Sequence, residues 1–320
     1  MANTIPKIRH AHASTIRSKL LLEVAAEMVA GQPNRHTQIS IKPQTDDGDL
    51  PIHLTAASTA QGIEDVVAGR ASTGIANPAT MLSLAYRGRG PFKTPQPVRA
   101  IAVIPSLDHC MLAVTRDTGL TTFEDIATKR YPLRIAGRDI VDHCMYNLLD
   151  DVMAACGFSM ADLKSWGGDL RYLMHSRSDR LAAIGPNGAN AIFDEAVHNW
   201  IDDAVGAGMT ILSFQEPTLR KLQALGYRPG VLRKTMYPCL PHDIVTLDFS
   251  GWTIYVRADA PDWLVTRFCA GLDARKHLIP WQEEGPLPVE RMCREGEDTP
   301  FDVPLHPAAE AFWRRQGYIP

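Results

Sequence analysis

The sequence predicts an α/β fold built as two lobes. Short apolar runs alternate with amphipathic segments along the whole chain, which is the pattern of strands alternating with helices. Two strand-like segments, 110–115 and 210–214, are each followed by turn residues, as expected where the chain passes between lobes. The length of 320 residues allows each lobe its own core. We therefore expect 1–116 with 214–320 to form lobe 1, and 117–213 to form lobe 2.

The composition excludes several classes of function. The chain is 45% hydrophobic and 22% charged, with a net charge of -3 and both signs mixed along it. The absence of a basic stripe argues against nucleic acid and anionic membrane surfaces as partners. No apolar run reaches the roughly 20 residues that span a bilayer, so the chain is not expected to span a membrane itself.

The six cysteines do not form a recognisable site. None belongs to a CxxC pair, and their spacings match neither zinc nor iron–sulfur patterns, so no metal is predicted. We expect them to be buried small side chains in a reducing compartment rather than disulfides. The polar segment 1–12 lacks the apolar stretch of a secretory signal. The expected location is therefore cytoplasmic as written, or periplasmic if the true start lies upstream.

In the first third of the chain, strands and helices alternate. A strand over 7–13 would lead into a helix over 16–30 that Ser14 or Thr15 caps. The elements expected after it are a strand over 38–43, an acidic loop over 46–49, a helix over 61–68, a strand over 73–76, a helix over 80–86 and a loop over 87–97.

The same alternation continues to the end. Thr122 is the expected N-cap of a short helix, and Gly157 is expected to end a long helix that begins at the turn Gly137-Arg138-Asp139. The strands expected here are 98–105, 110–115, 132–136, 170–174, 191–193, 210–214, 243–247 and 251–256. The further helices expected are 178–184, 195–204, 213–226, 263–277 and 308–316.

Three stretches carry a family resemblance. They are 57–63 (ASTAQGI) with 67–76 (VAGRASTGIA), then 109–114 (HCMLAV) with 119–126 (GLTTFEDI), and last 304–313 (PLHPAAEAFW). In this order they resemble the TAXI family, the solute-binding receptors of a subset of TRAP transporters, and more loosely the type II periplasmic-binding superfamily. The last stretch is the most specific of the three.

This resemblance implies a two-lobed, type II clamshell with a ligand cleft between the lobes. It also implies a small organic anion as ligand and a membrane permease as partner. The chain departs from the family at four places. It carries no signal segment, and it has Ser72 or Thr73 where the family has Asp. The small-residue turn after the first strand of the inserted lobe is Gly137-Arg138-Asp139 here, and Ala308 stands where the family ending has Gly.

Polar residues at predicted helix starts and strand ends are candidate ligand contacts. Free backbone N–H groups at a helix start favour a carboxylate or phosphate. Hydroxyls there also serve as plain N-caps, and both interpretations are open for Ser14, Thr15, Ser58 and Thr59. Asn77 follows a predicted strand, where a polar side chain faces the cleft in a doubly wound sheet.

Arg138 is the sharpest candidate. A guanidinium at a helix start gains nothing from the helix dipole, so a bidentate bond to a ligand carboxylate would explain its position. The alternative is a surface ion pair with Asp139 or Asp142. His143, one turn further along the predicted helix, is a candidate ligand contact as well.

Two classes of function fit these residues best, and a cytoplasmic sensor that binds and signals is a third alternative. The first is a binding protein that captures a small organic acid. The second is a cofactor-free enzyme on the same scaffold, a decarboxylase, lyase or hydrolase of an organic and possibly aromatic acid, with His12 or His109 as catalytic acid or base. No phosphate-binding loop of GxGxxG or GxxxxGK[ST] spacing is present, so no cofactor is predicted.

Overall fold

The computed structural model describes most of the chain in two units, 1–37 and 38–320. The described residues are 13–29, 36–42, 51–57, 59–139, 141–173, 177–195 and 200–320. The strands are β1 (His36–Ile41), β2 (Ile52–Ala57), β3 (Thr73–Ala76), β4 (Val98–Ile104), β5 (Met111–Thr115), β6 (Arg134–Gly137), β7 (Asp169–Tyr172), β8 (Ala191–Asp194), β9 (Met209–Ile211), β10 (Arg228–Leu232), β11 (Ile244–Asp248) and β12 (Trp252–Arg257). The helices are α1 (Ala13–Val29), α2 (Ala60–Val67), α3 (Ala79–Arg87), α4 (Phe123–Lys129), α5 (Cys144–Ala155), α6 (Met160–Ser165), α7 (Arg177–Ala182), α8 (Ile201–Gly206), α9 (Glu216–Leu225), α10 (Asp262–Arg275), α11 (Val289–Met292) and α12 (Pro307–Arg315).

The first unit contains α1. This helix begins at Ala13, so Ser14 and Thr15 lie inside its first turn and do not precede it. The expectation that either residue caps the helix is therefore wrong, because an N-cap has non-helical backbone angles and lies outside the turn that it caps.

Two five-stranded mixed sheets organise the second unit. The first has the order β1-β2-β3-β12-β4, with β2 and β3 parallel and β12 antiparallel to both of its neighbours. The second has the order β7-β6-β8-β5-β9, with β6 parallel to β7 and β8, and β5 antiparallel to β8 and β9. The hairpin of β10 and β11 forms a small third sheet.

Both large sheets are built on one plan. In each sheet, one antiparallel strand from a distant part of the chain lies between the parallel strands and the edge strand. This strand is β12 in the first sheet and β5 in the second. The chain enters the second sheet between β4 and β5 and returns to the first between β9 and β12. The predicted two-lobed α/β class is confirmed. The residue boundaries of the lobes stay a prediction.

One apolar core extends from the first sheet's helices to those of the second. Phe123 and Phe214 stack within it, with ring centroids 3.9 Å apart. The hydroxyl of Tyr227, just after α9, donates to Asp151 of α5 at 2.7 Å. A separate core under α10 and α12 includes Trp313, whose indole N–H donates to the carbonyl of Ile101 at 2.8 Å.

Local signals predicted several helix ends correctly. Thr122 and Asp125 form a capping box at the start of α4, and Gly157 follows α5 with a φ of 88°. All six cysteines lie in the described ranges, and all are free thiols. No described helix is both long enough and apolar enough to cross a membrane.

Candidate ligand site at the ends of β6 and β8

Arg138 and Asp194 meet because their strands are in register. β6 and β8 are parallel neighbours in which Ala136 lies opposite Ile192. Two residues further along each strand, Arg138 and Asp194 therefore reach the same edge of the sheet. The Nε of Arg138 donates to Oδ1 of Asp194 at 2.8 Å.

Glu195 is the second partner of the arginine. Its Oε1 lies 3.2 Å from Nη2 of Arg138, and the side chain of Arg138 is 16% exposed. Burial opposes the charge of Arg138, but the carboxylates of Asp194 and Glu195 outweigh it and raise its pKa, so the guanidinium stays charged.

The surroundings of Arg138 correct two expectations. α5 begins at Cys144, so Arg138 lies in the loop before the helix and not at its first turn. The predicted alternative partners, Asp139 and Asp142, are replaced by Asp194 and Glu195. The physical reason is the parallel register of β6 and β8, which brings charges together that are far apart in sequence.

A second arginine reaches the same aspartate. Nη2 of Arg180, on α7, contacts Oδ2 of Asp194, and the side chain of Arg180 is only 3% exposed. Its Nε and Nη1 are buried and have no hydrogen-bond partner among the described residues. A buried donor without a partner costs about 1–3 kcal/mol, so these nitrogens favour an added acceptor.

Glu195 is a buried acid that titrates near neutrality. Its side chain is 3% exposed, and burial is the main reason that its pKa rises to about 7. The charge of Arg138 lowers this pKa, while the carboxylates of Asp108 and Asp194 raise it. Oε2 of Glu195 has no hydrogen-bond partner within the described part of the chain. Both the protonated and the ionised form of Glu195 are therefore populated near pH 7.

His143 is the N-cap of α5 and also touches Arg138. Its Nδ1 lies 3.2 Å from the backbone N–H of Met145, and its Nε2 lies 3.1 Å from Nη1 of Arg138. A neutral imidazole has only one acceptor nitrogen. The ring cannot accept from both donors, so one of them is directed at a nitrogen that bears a proton. The predicted position of His143, one turn inside the helix, is wrong.

The first sheet's loops reach this cluster. Thr59, the N-cap of α2, forms an antiparallel β-bridge with His143, and its hydroxyl accepts from the N–H of Gly62 at 3.1 Å. The thiol of Cys144 donates to the carbonyl of Asn77 at 2.8 Å. Oδ1 of Asn77 is buried without a hydrogen-bond partner among the described residues. Thr59, Asn77, Arg138 and His143 are thus brought together where the two sheets' loops meet.

His109 contacts a different part of the molecule. It precedes β5, forms a β-bridge with Asp248, and its ring is packed against Gly230 of β10. Burial, reinforced by the charge of Arg233, lowers its pKa to about 4, so the ring is neutral at physiological pH. Its preceding neighbour, Asp108, is one of the charges that act on Glu195.

The remaining predicted site residues do not enter this description. His12 and Ser58 lie outside the described residues, and Ser14 and Thr15 belong to the first unit. Sequence reasoning missed Asp194, Glu195 and Arg180. The acids directly follow a predicted buried strand, which is a usable signal, but the pattern predicts a helix over 195–204, whereas α8 begins only at Ile201.

Cys144 is not a nucleophile in this arrangement. Burial raises the pKa of its thiol well above the ordinary value, and the charge of Glu195 raises it further. The thiol is therefore protonated, and its hydrogen bond to Asn77 is structural.

The fold and this cluster define a two-lobed α/β protein with buried ion pairs where its lobes meet. No family model matches the chain, and no curated sequence is similar to it. Among solved structures, it is similar to the alkanesulfonate-binding protein SsuA from Xanthomonas axonopodis pv. citri bound to MOPS (18% identity, TM-score 0.34, 68% of this chain and 59% of that one). It is also similar to the glycine betaine/L-proline-binding protein ProX from Borrelia burgdorferi (12% identity, TM-score 0.36, 63% and 62%). The alignments thus span about three-fifths of those two chains.

Proposed function

We propose that this protein binds a small organic anion, a carboxylate, where its two lobes meet, and that Arg138 holds the anion. The observation that carries the proposal is the competition at His143. Two donors, Nη1 of Arg138 and the N–H of Met145, face a ring that can accept from one of them only. An anionic oxygen beside the ring accepts from Arg138 and from the protonated Nε2 together.

The charges of the cluster favour binding of an anion that is coupled to the uptake of a proton. Protonation of Glu195 removes the carboxylate whose ionisation burial opposes, and it leaves Asp194, 2.5 Å from Nη2, as the remaining carboxylate partner of Arg138 among the described residues. Asp194 stays paired with Arg180, so no buried charge is left alone. A charge-assisted hydrogen bond from Arg138 to the anion is about twice as strong as a neutral one.

In this proposal the cleft opens and closes around the ligand. Thr59 and Asn77 from the first sheet adjoin His143 and Cys144 from the second, so separation of the lobes exposes Arg138 and their approach buries the ligand. The resemblance to TAXI receptors suggests that the ligand is then passed to a membrane permease, which is part of the same proposal.

A second function is favoured by Glu195. A buried carboxylic acid near neutrality beside an arginine is also a proton donor for cofactor-free decarboxylation. In that reaction the bond from the carboxylate carbon to the rest of the substrate breaks and CO2 leaves. The electron pair stays on the substrate carbon, which takes the proton of Glu195, and solvent reprotonates the carboxylate.

One experiment separates the two functions. A thermal-shift screen over aliphatic and aromatic mono- and dicarboxylates identifies ligands, and mass spectrometry of each incubated mixture shows whether the hit is consumed. A ligand at 100 times its Kd stabilises by about 2.7 kcal/mol, or a few degrees in Tm. Recovery of the hit unchanged supports binding, whereas loss of CO2 that Glu195→Gln abolishes supports the enzyme. The absence of any stabilising carboxylate would overturn both.

A further inference from the structure

A cavity lies beside the edge of the second sheet, away from Arg138. It has a volume of about 390 Å³ and is formed by β9, the end of α8 and the loop between β10 and β11. β9 is the edge strand, and β5 separates it from β8 and hence from Glu195. This volume is within the range of small-molecule sites.

The walls of this β9 cavity are mainly apolar. The apolar side chains that line it are Val205, Met209, Ile211, Leu240 and Ile244. Two of the lining hydroxyls already have partners, since Thr121 donates to Asp125 at 3.0 Å and Ser213 donates to the carbonyl of Val245 at 3.2 Å. The hydroxyl-bearing side chain that remains is Thr210, in the middle of β9.

A cation without a partner completes the lining. Arg116 is exposed and has no ion pair or hydrogen bond from its side chain among the described residues. His242, also exposed, lines the cavity from the opposite segment of chain. An apolar wall with one free guanidinium is complementary to a molecule with an apolar body and one anionic group.

The geometry points to a second ligand site in the β9 cavity, for a small organic acid with a compact apolar or aromatic body. This site is independent of the function proposed for Arg138. Its lining joins the end of β5 to the return segment between β9 and β12, because Arg116 follows β5, Ser213 follows β9, and Ile244 begins β11. A ligand there links β5 to the segment through which the chain leaves the second sheet.

Methionine methyl NMR tests this site separately from the first one. Met209 lines the cavity, whereas Met145 adjoins His143 in the Arg138 cluster. The protein is labelled with 13C-methyl methionine, and Met209→Leu assigns the Met209 signal. Titration with benzoate is expected to shift Met209 to saturation, and the same titration on Arg138→Met/Glu195→Gln is expected to give the same Met209 curve.

Three variants and one uncharged probe define the chemistry. Arg116→Ala should raise the Kd of benzoate, measured at Met209, about tenfold, because one charge-assisted bond is lost. The Kd of benzyl alcohol should stay within about twofold. Lys93→Ala, another exposed cation, is the control and should change neither. Thr210→Phe fills the cavity and should remove both titrations.

The opposite results are equally clear. A Met209 signal that does not move up to about 50 mM benzoate overturns the proposal, because that concentration exceeds the Kd of any specific weak site. So does a shift that persists in Thr210→Phe, or one that Arg116→Ala and Lys93→Ala weaken equally. A shift of Met145 alone would assign benzoate to the Arg138 cluster and would also overturn the second site.

Discussion

Arg138 donates to Asp194 at 2.8 Å across the edge of the second sheet, at matching positions beyond two parallel strands. This pair makes the arginine part of the protein's interior. In the proposed site, a ligand carboxylate would therefore compete with existing carboxylates for Arg138. Protonation of Glu195 would remove one of these two competitors.

Ligand affinity is predicted to fall as the pH rises through about 7. The anion disfavours a second negative charge nearby, so binding takes up a proton on Glu195, whose pKa is about 7 in the protein alone. Between pH 6 and 8 the Kd of the carboxylate found by screening should rise several-fold. Glu195→Gln should keep the low-pH affinity throughout.

Calorimetry in buffers of different ionisation enthalpy measures the proton count of this step directly. Uptake of a fraction of a proton at pH 7, lost in Glu195→Gln, is the expected result. Release of a proton would mean that the ligand presents a cation to Glu195, and the anion model would fail.

Two buried groups are predicted to give opposite pH dependences of stability. The pKa of Glu195 rises from 4.5 to about 7 on folding, so its contribution is fully present below 4.5 and is lost as the pH rises through 7. The pKa of His109 falls from 6.5 to about 4, so its contribution is present above 6.5 and is lost as the pH falls through 4. Each is worth about 3 kcal/mol, and they offset one another between pH 4.5 and 6.5.

Single variants should reveal each trend. Urea denaturation of Glu195→Gln should show a free energy of unfolding that rises with pH over this range, since the effect of His109 is then alone. His109→Gln should show one that falls. Identical pH profiles for the two variants and the unaltered protein would contradict both assignments.

The packing at the chain crossing gives a prediction on stability. A Cβ at Gly230 would lie 2.8 Å from the backbone nitrogen of Asp248 and from Cδ2 of His109. Gly230→Ala should therefore cost about 1–3 kcal/mol of unfolding free energy. Gly206→Ala is the matched control, because its Cβ would have no neighbour within 4 Å, and in helix α8 it should be neutral or stabilising. Equal effects of both on Tm would be the contrary result.

The substitution Arg138→Met alone is predicted to lower the free energy of unfolding, whether or not a ligand is present. It leaves Glu195 and Asp194 with one arginine, and an uncompensated buried charge costs about 3–5 kcal/mol. In Arg138→Met/Glu195→Gln, Asp194 keeps Arg180 and the charges balance. Thermal unfolding at pH 7.5 should show Arg138→Met well below the double variant. A single variant as stable as the double one would show that the pair is not buried in solution.

The sequence predicted those parts of the fold that depend on local signals. The capping residue Thr122, the helix end at Gly157 and the buried strands around β5 and β12 follow from turn chemistry and apolar patterning. The strand β2 and the strand β10, which contains Pro229, were missed. Pro is unfavourable within strands, and β10 lies in a two-stranded hairpin where it is tolerated.

The candidate site was predicted only in part, because pairing between distant strands is not written in a local pattern. Arg138, His143, Asn77 and Thr59 were identified from their places after strands or at helix starts. Glu195 was assigned to a helix, and nothing near Arg180 in sequence indicates Asp194 as its partner. The knowledge that β6 and β8 are adjacent and parallel supplies the missing information.

The most direct test of the account is a calorimetric titration at pH 6.5 with the screened carboxylate and its uncharged primary amide. Four proteins are compared: the unaltered chain, Glu195→Gln, Arg138→Met/Glu195→Gln, and Arg171→Met as a control from the half-buried ion pair on β7. The account predicts that the carboxylate binds the first, second and fourth proteins with similar Kd, and that the amide binds none appreciably. It also predicts that the double variant stays folded and stable but binds the carboxylate with a Kd at least tenfold higher. Unchanged binding by that folded double variant would contradict the role of Arg138 and with it the proposed site.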